Sequence, residues 1–231
     1  LGAKGLTITG DGGAGSIVLV AAPTGSILSA DAPIAPVTLT NLTFRGGHGE
    51  VSASHGGLAG GAIRASYIDL NIEGCLFEDC EADFGGAIAT ESYGAELGQL
   101  IVRNSEFRDS CVAAIDGGAI HNTNGTLRVF DSTVRGHATS GRGGAVFSEG
   151  VRPALRLDMH FVDRLIEGTA HGDGGAVYTY RTYPGFERCT VQGRCLGDGR
   201  GGAVHAWFVA FSDYRDSTFR GSRALWGGAI F

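Results

Sequence analysis

Asp79 and Asp109 each stand two residues after a phenylalanine, Phe77 and Phe107, and Asp163 holds the same place after Phe161. If these segments stack as neighbouring strands, the carboxylates of Asp79 and Asp109 repeat at ~4.8 Å, near the ~5–5.5 Å that separates the acid and the nucleophile of a retaining glycosidase. An aspartate just after a strand also has a simpler use, closing the turn through its own side chain. With no complete acid/base set around the pair, the sequence assigns no catalytic residue. The seven histidines are dispersed with no pair at metal-ligand spacing. Gly10-Asp11-Gly12-Gly13 and Asp173-Gly174-Gly175 lack the tandem nonapeptides of calcium-binding glycine repeats. Neither a metal nor a cofactor is expected.

Five cysteines lie close to the same landmarks: Cys75, Cys80, Cys111, Cys189 and Cys195. Cys80 and Cys111 occupy nearly equivalent places in successive units, so a disulfide between them is geometrically conceivable; Cys75 and Cys189 read as small core residues. Asn41-Leu-Thr and Asn124-Gly-Thr are sequons that would accept N-glycans in a eukaryotic secreted protein, Asn124 from an accessible turn and Asn41 from a strand edge.

The elements that carry these residues follow from one recurring phrase. Gly-Gly-Ala-Ile or Gly-Gly-Ala-Val occurs seven times, beginning at Gly60, Gly85, Gly117, Gly143, Gly174, Gly201 and Gly227. The successive intervals are 25, 32, 26, 31, 27 and 26 residues, the length of one solenoid turn. A second landmark, an aromatic or valine among small polar residues, follows each phrase: Phe77, Phe107, Val134, Phe161, Val191 and Phe219, with Phe44 before the first. After the glycines come a short extended run such as Ala119-Ile120-His121-Asn122, a turn, and a longer alternating run such as Leu127–Val134. Period-two hydrophobicity bounded by Gly, Asn, Asp and Ser predicts strands, and a glycine pair suits a tight corner between them.

Alternation then fixes directions. Ile63, Ile88, Ile120, Val146, Val177, Val204 and Ile230 are expected to face inward, and the next residue of each unit outward. The outward column contains His121, Phe147, Tyr178 and His205, a row of rings for which stacking along the solenoid is a sufficient structural cause, the alternative being a contact surface for a glycan, a partner chain or a neighbouring subunit. The phrase alanine is read as outward too. Asp116, Arg142, Asp173 and Arg200 alternate in sign immediately before the glycines, as do Arg45, Glu78 and Arg108 after the aromatic landmark. Opposite charges one turn apart attract and hold register.

With 231 residues, 43% hydrophobic composition and five prolines, the chain can bury a core. The formal net charge is −6 and the basic residues are scattered, which argues against a nucleic-acid partner. No run has the ~18 apolar residues of a membrane span. The expected architecture is all-β, a right-handed parallel β-helix of roughly eight coils over residues 1–231, with more irregular first coils in 1–35 and the repeats in 36–231. Strand-like sequence at both ends suggests a segment of a longer chain.

The Gly-Gly-Ala-Ile phrase, paired with Phe44-Arg-Gly-Gly, Phe77-Glu-Asp-Cys, Phe107-Arg-Asp-Ser and Phe219-Arg-Gly-Ser, resembles the repeats of the polymorphic outer membrane proteins, which are autotransporter passengers. That resemblance implies a right-handed parallel β-helix at the cell surface or outside the cell. The expected role is non-catalytic and structural or adhesive, as stalk, filament subunit or passenger segment, with self-association, a neighbouring chain or a glycan as partner. The alternatives are a polysaccharide lyase or hydrolase and a non-catalytic glycan-binding β-helix.

Overall fold

A computed structural model describes residues 5–12, 17–31, 36–92, 98–151, 157–209 and 212–231; parts of the irregular first coils, 13–16 and 32–35, lie outside the described residues. Every described element is a strand, and they stack as a parallel β-solenoid of about seven turns. The sheet of short strands is the simplest to follow. Leu28–Asp31, Ile63–Ser66, Ile88–Glu91, Ile120–Thr123, Val146–Glu149, Val177–Tyr180 and Val204–Trp207 pair in that order, each parallel to the next and without slippage. A larger sheet of 18 strands completes each turn.

All seven phrases occupy one corner, and their two glycines are needed for different reasons. The first has φ between 61° and 71° at every repeat, a region that L side chains avoid. At the second, a Cβ on Gly144 would lie 2.2 Å from the carbonyl oxygen of Gly175, and one on Gly118 would lie 1.9 Å from that of Gly144. The next turn's backbone stands where a side chain would be.

Three readings of the repeat are corrected. The phrase alanines point into the core, not outward: Ala62, Ala87, Ala119, Ala145, Ala176 and Ala203 are fully buried in it. Two successive amides explain this, since Ala119 and Ile120 both donate to the carbonyl of Ala145 and locally break the alternation. Most of the long alternating runs, Leu100–Phe107 and Leu127–Val134 among them, are two strands, not one, whereas Asp158–Ala170 and Tyr183–Cys195 continue through the bend. They bend at a column of left-handed residues, Asn41, Gly74, Asn104, Asp131, Asp163, Arg188 and Asp216, with φ of 47–60°, a conformation that Asn and Asp tolerate better than most. Finally, the partner of Val134 in the aromatic column is Ile166, not Phe161. Phe161 pairs with Val129 and Phe186, ahead of the left-handed bend.

The core therefore has two large inward columns of complementary volume. Phe44, Phe77 and Phe107 stack at 4.9 and 4.5 Å, beside Leu39, Ile72 and Val102 in the other column. Past Val129 and Val134 the sizes exchange: Phe161, Phe186 and Tyr214 stack at 5.2 and 5.7 Å, beside Ile166, Val191 and Phe219. A constant cross-section at close packing requires this compensation over most of the rod.

Candidate functional site

The ring column has the expected register: Arg64, Ala89, His121, Phe147, Tyr178 and His205 are successive partners. It is absent from the core cluster, so alternation places it correctly on the outer face. It is not an exposed contact surface. His121, Phe147, Tyr178 and His205 are only 1–3% exposed. The cause is the glycine corner, which folds the residue before each phrase back over the residue after it. Arg142 lays its guanidinium 4.9 Å from the Phe147 ring centre and 4.7 Å from that of Tyr178, held there by Asp116 at 2.9 Å. Phe84 covers His121 at 5.3 Å. Beneath this cover His121, Phe147 and Tyr178 stack within 7° of parallel at 4.7 and 5.1 Å, so the two outward columns of the sequence form one layer.

The first turns of that layer contain the densest group of chemically capable side chains. The insertion after Phe44 forms a small antiparallel hairpin, Glu50–Val51 with Leu58–Ala59, whose tip brings Ser52, Ser54 and His55 over the short-strand sheet. His55 Nδ1 lies 2.9 Å from Glu91 Oε1. The hydroxyls of Ser52 and Ser54 donate to the two oxygens of Glu91 at 2.7 and 2.5 Å. Burial opposes ionisation of Glu91, but the bonds from His55, Ser54 and Ser52 outweigh it and hold the carboxyl at about 2. The His55 ring meets His121 edge-on at 4.8 Å. Burial pushes His121 down to about 3, with the charge of His55 adding to the effect, and its Nδ1 has no hydrogen-bond partner among the described residues.

Serine, histidine and glutamate suggest nucleophilic catalysis, but their order in space is wrong for it. A nucleophile must bond the imidazole nitrogen remote from the acid. Here both serines bond the acid itself on the Nδ1 side, and Nε2 faces Thr123 Oγ1 at 3.5 Å. The group clamps the hairpin onto the sheet. Sequence reasoning missed it, although Ser52, Ser54 and His55 lie in the longest insertion between an aromatic landmark and the next phrase, and Glu91 ends the short strand that begins at Ile88 of a phrase.

The other candidates are dispersed. Asp79 is a left-handed corner residue (φ 55°) whose amide donates to Ser110, while exposed Asp109 approaches Arg135 at 3.8 Å. Asp163 belongs to the other corner column and pairs with Arg188 at 2.5 Å. One charge ladder forms as expected: Arg45 Nε donates to Glu78 at 2.6 Å, and Arg108 pairs with the same carboxylate; in the other, Arg142 pairs with Asp116, while Asp173 accepts from the Arg200 backbone amide and lies 3.1 Å from His205. Cys80 and Cys111 are buried free thiols on adjacent turns. The hydrogen bond between them lowers the pKa of Cys80 and raises that of Cys111. Asn124 does sit in a turn, but it is buried, not accessible, with Oδ1 accepting from Val151 N at 2.6 Å. Half-buried Asn41 occupies a left-handed corner between two strands. No three His, Cys, Asp or Glu among the described residues are arranged to hold a metal, and no helix there is long and apolar enough to cross a membrane.

Compared with known proteins, this parallel β-solenoid matches no family model, no curated protein and no solved structure.

Proposed function

We propose that this chain is a structural segment of an extracellular or cell-surface protein, a stalk, filament subunit or passenger, and that it is not an enzyme. One observation carries the reading. The side chains best suited to chemistry bond across turns of the rod, with partners 25–36 residues away: Arg45 and Arg108 on Glu78, Arg142 on Asp116, Arg188 on Asp163, and His55 on Glu91. Such contacts stiffen a stack and leave few groups free to act on a substrate. The likeness of the Gly-Gly-Ala-Ile units to polymorphic outer membrane protein repeats supports the surface location. In that oxidising setting Cys80 and Cys111 would each lose a proton and an electron to a disulfide oxidant and join adjacent turns.

The test has two arms. Antibody raised to this segment is applied to intact source cells and to their medium, with labelling expected before permeabilisation or in the medium; signal confined to permeabilised cells overturns the location. The folded segment is also incubated with neutral and acidic polysaccharides, and no new chain ends are expected. Turnover that disappears in Asp79→Asn or Asp109→Asn would establish the lyase or hydrolase alternative instead.

A further inference from the structure

Among the described residues, one outward face of the larger sheet has no cover of the kind that buries the ring column. Leu127, Val129, Phe161 and Phe186 of its strands point into the core, so their neighbours point away from it. Across four successive turns these neighbours border a groove of about 770 Å³, within the range of small-ligand sites. Its central row is Arg128, His160, Gly185 and Asp213, each the strand partner of the next. Asp158 and Tyr183 form one wall, and Phe130 and Arg215 stand on the other side.

Three details give the groove a chemical character. Gly185 sits mid-strand without a left-handed backbone, so conformation does not require it. Its missing side chain is space: a Cβ there would lie 2.8 Å from the His160 ring, which leans over it as the floor. Glycine within a strand often marks a close approach of this sort. Next, Arg128 has no ion-pair partner among the described residues, whereas Arg215 is fixed to Asp213 at 2.7 Å. The groove therefore contains one guanidinium without an ion-pair partner among the described residues, its donors in a planar fork suited to a carboxylate. Third, donors and acceptors are interleaved and edged by the rings of Tyr183 and Phe130, an arrangement suited to hydroxyls on a flat, weakly apolar ring.

We propose that this groove binds a linear, carboxylate-bearing saccharide laid along the solenoid axis, with Arg128 as the anion contact and Gly185 as the clearance. The turn spacing of ~4.8 Å sets Arg128, His160, Gly185 and Asp213 at successive steps along such a chain. The proposal adds a ligand to the structural reading above and does not depend on it; a rod that fails to bind sugar is still a rod.

The experiment is calorimetric titration of the folded chain with oligogalacturonate, alongside a neutral glucan oligosaccharide and a sulfated oligosaccharide of similar length. Saturable binding of oligogalacturonate is expected, weakened about tenfold or more in Arg128→Ala and lost in Gly185→Val. Arg45→Ala, on a different strand column, is expected to bind as the parent does. Thermal melts establish that each variant is folded, and Arg128→Ala, being a surface change, serves as the test if Gly185→Val is not. Absence of saturable binding by the parent overturns the proposal, as does undiminished affinity in Arg128→Ala. Equal binding of the neutral glucan, or tighter binding of the sulfated probe, overturns the carboxylate assignment.

Discussion

Two faces of this solenoid point away from its core, and they differ sharply. On the short-strand sheet, His121, Phe147 and Tyr178 are sealed beneath Phe84, Arg142 and the hairpin that carries His55, and His205 is buried between Tyr178, Trp207 and Phe231. On the larger sheet, Arg128, Phe130 and His160 border an open groove. Both follow the same period of two. Alternation settles which way a side chain points, but not what lies over it. The cover comes from the corner before each glycine pair and from one insertion.

The largest expected effect breaks the corner that makes the cover. Gly144→Ala places a methyl group 2.2 Å from the Gly175 carbonyl oxygen and 2.3 Å from Thr169 N, so two turns must separate. A loss upward of about 4 kcal/mol is expected in chemical denaturation. Gly185→Ala on the open face meets only the His160 ring, which can swing aside, and is expected to cost under about 1 kcal/mol. Comparable losses for the two would erase the distinction between backbone and side-chain clearance.

Next in size is a direct exchange of rings. Phe147→Ala leaves a void between His121, Tyr178 and the Arg142 guanidinium, and is expected to cost about 3–4 kcal/mol with no change in self-association. Phe130→Ala, half-buried with Arg103 5.2 Å from its ring centre, is expected to cost about 1 kcal/mol or less. Unchanged stability with weakened association in Phe147→Ala would restore the column as a contact surface.

The smallest effect at moderate pH is acid sensitivity of the covered face. His121, facing His55, Glu91 and Arg142, stays neutral down to about 3 in the fold, against about 6.5 in an unfolded chain. Between those values only the unfolded chain takes the proton, so stability falls as pH drops, by about 2 kcal/mol at pH 5. Glu91 is held at about 2 by its bonds to His55, Ser52 and Ser54, so it adds a loss in the same direction below about 4.5. Melting temperatures measured from pH 8 to pH 4 should decline below 6.5, and His121→Phe should flatten the upper part of that decline. An unaltered profile in His121→Phe would move the cause elsewhere.

Much of this architecture was legible because a solenoid repeats its signals. The glycine phrases gave the turn length, the corner and the register of the ring column, and the sign alternation of Arg45, Glu78 and Arg108 anticipated a real ladder. What escaped had physical reasons. A left-handed residue such as Asn104 or Asp131 shifts the inward phase by one residue, so that Val129 and Val134 both face the core; with apolar residues on either side of Asp131, Leu127–Val134 looked continuous. The fifth aromatic landmark was misplaced because Phe161 imitates Ile166 five residues early. Neither the hairpin clamp nor the groove has a repeating signal: Ser52, His55 and Glu91 meet across 39 residues, and Gly185 is one glycine among 40.

The exchange of bulk between the two inward columns gives the rod a memory of order. A coil from the first half, large at the Phe77 position and small at Ile72, would leave a void and an overlap at once if seated beside Phe161 and Ile166. Strictly identical repeats can pair with the wrong neighbour and trap a chain out of step. Here the misfit of exchanged coils penalises that error, so each half recognises its own place along the axis.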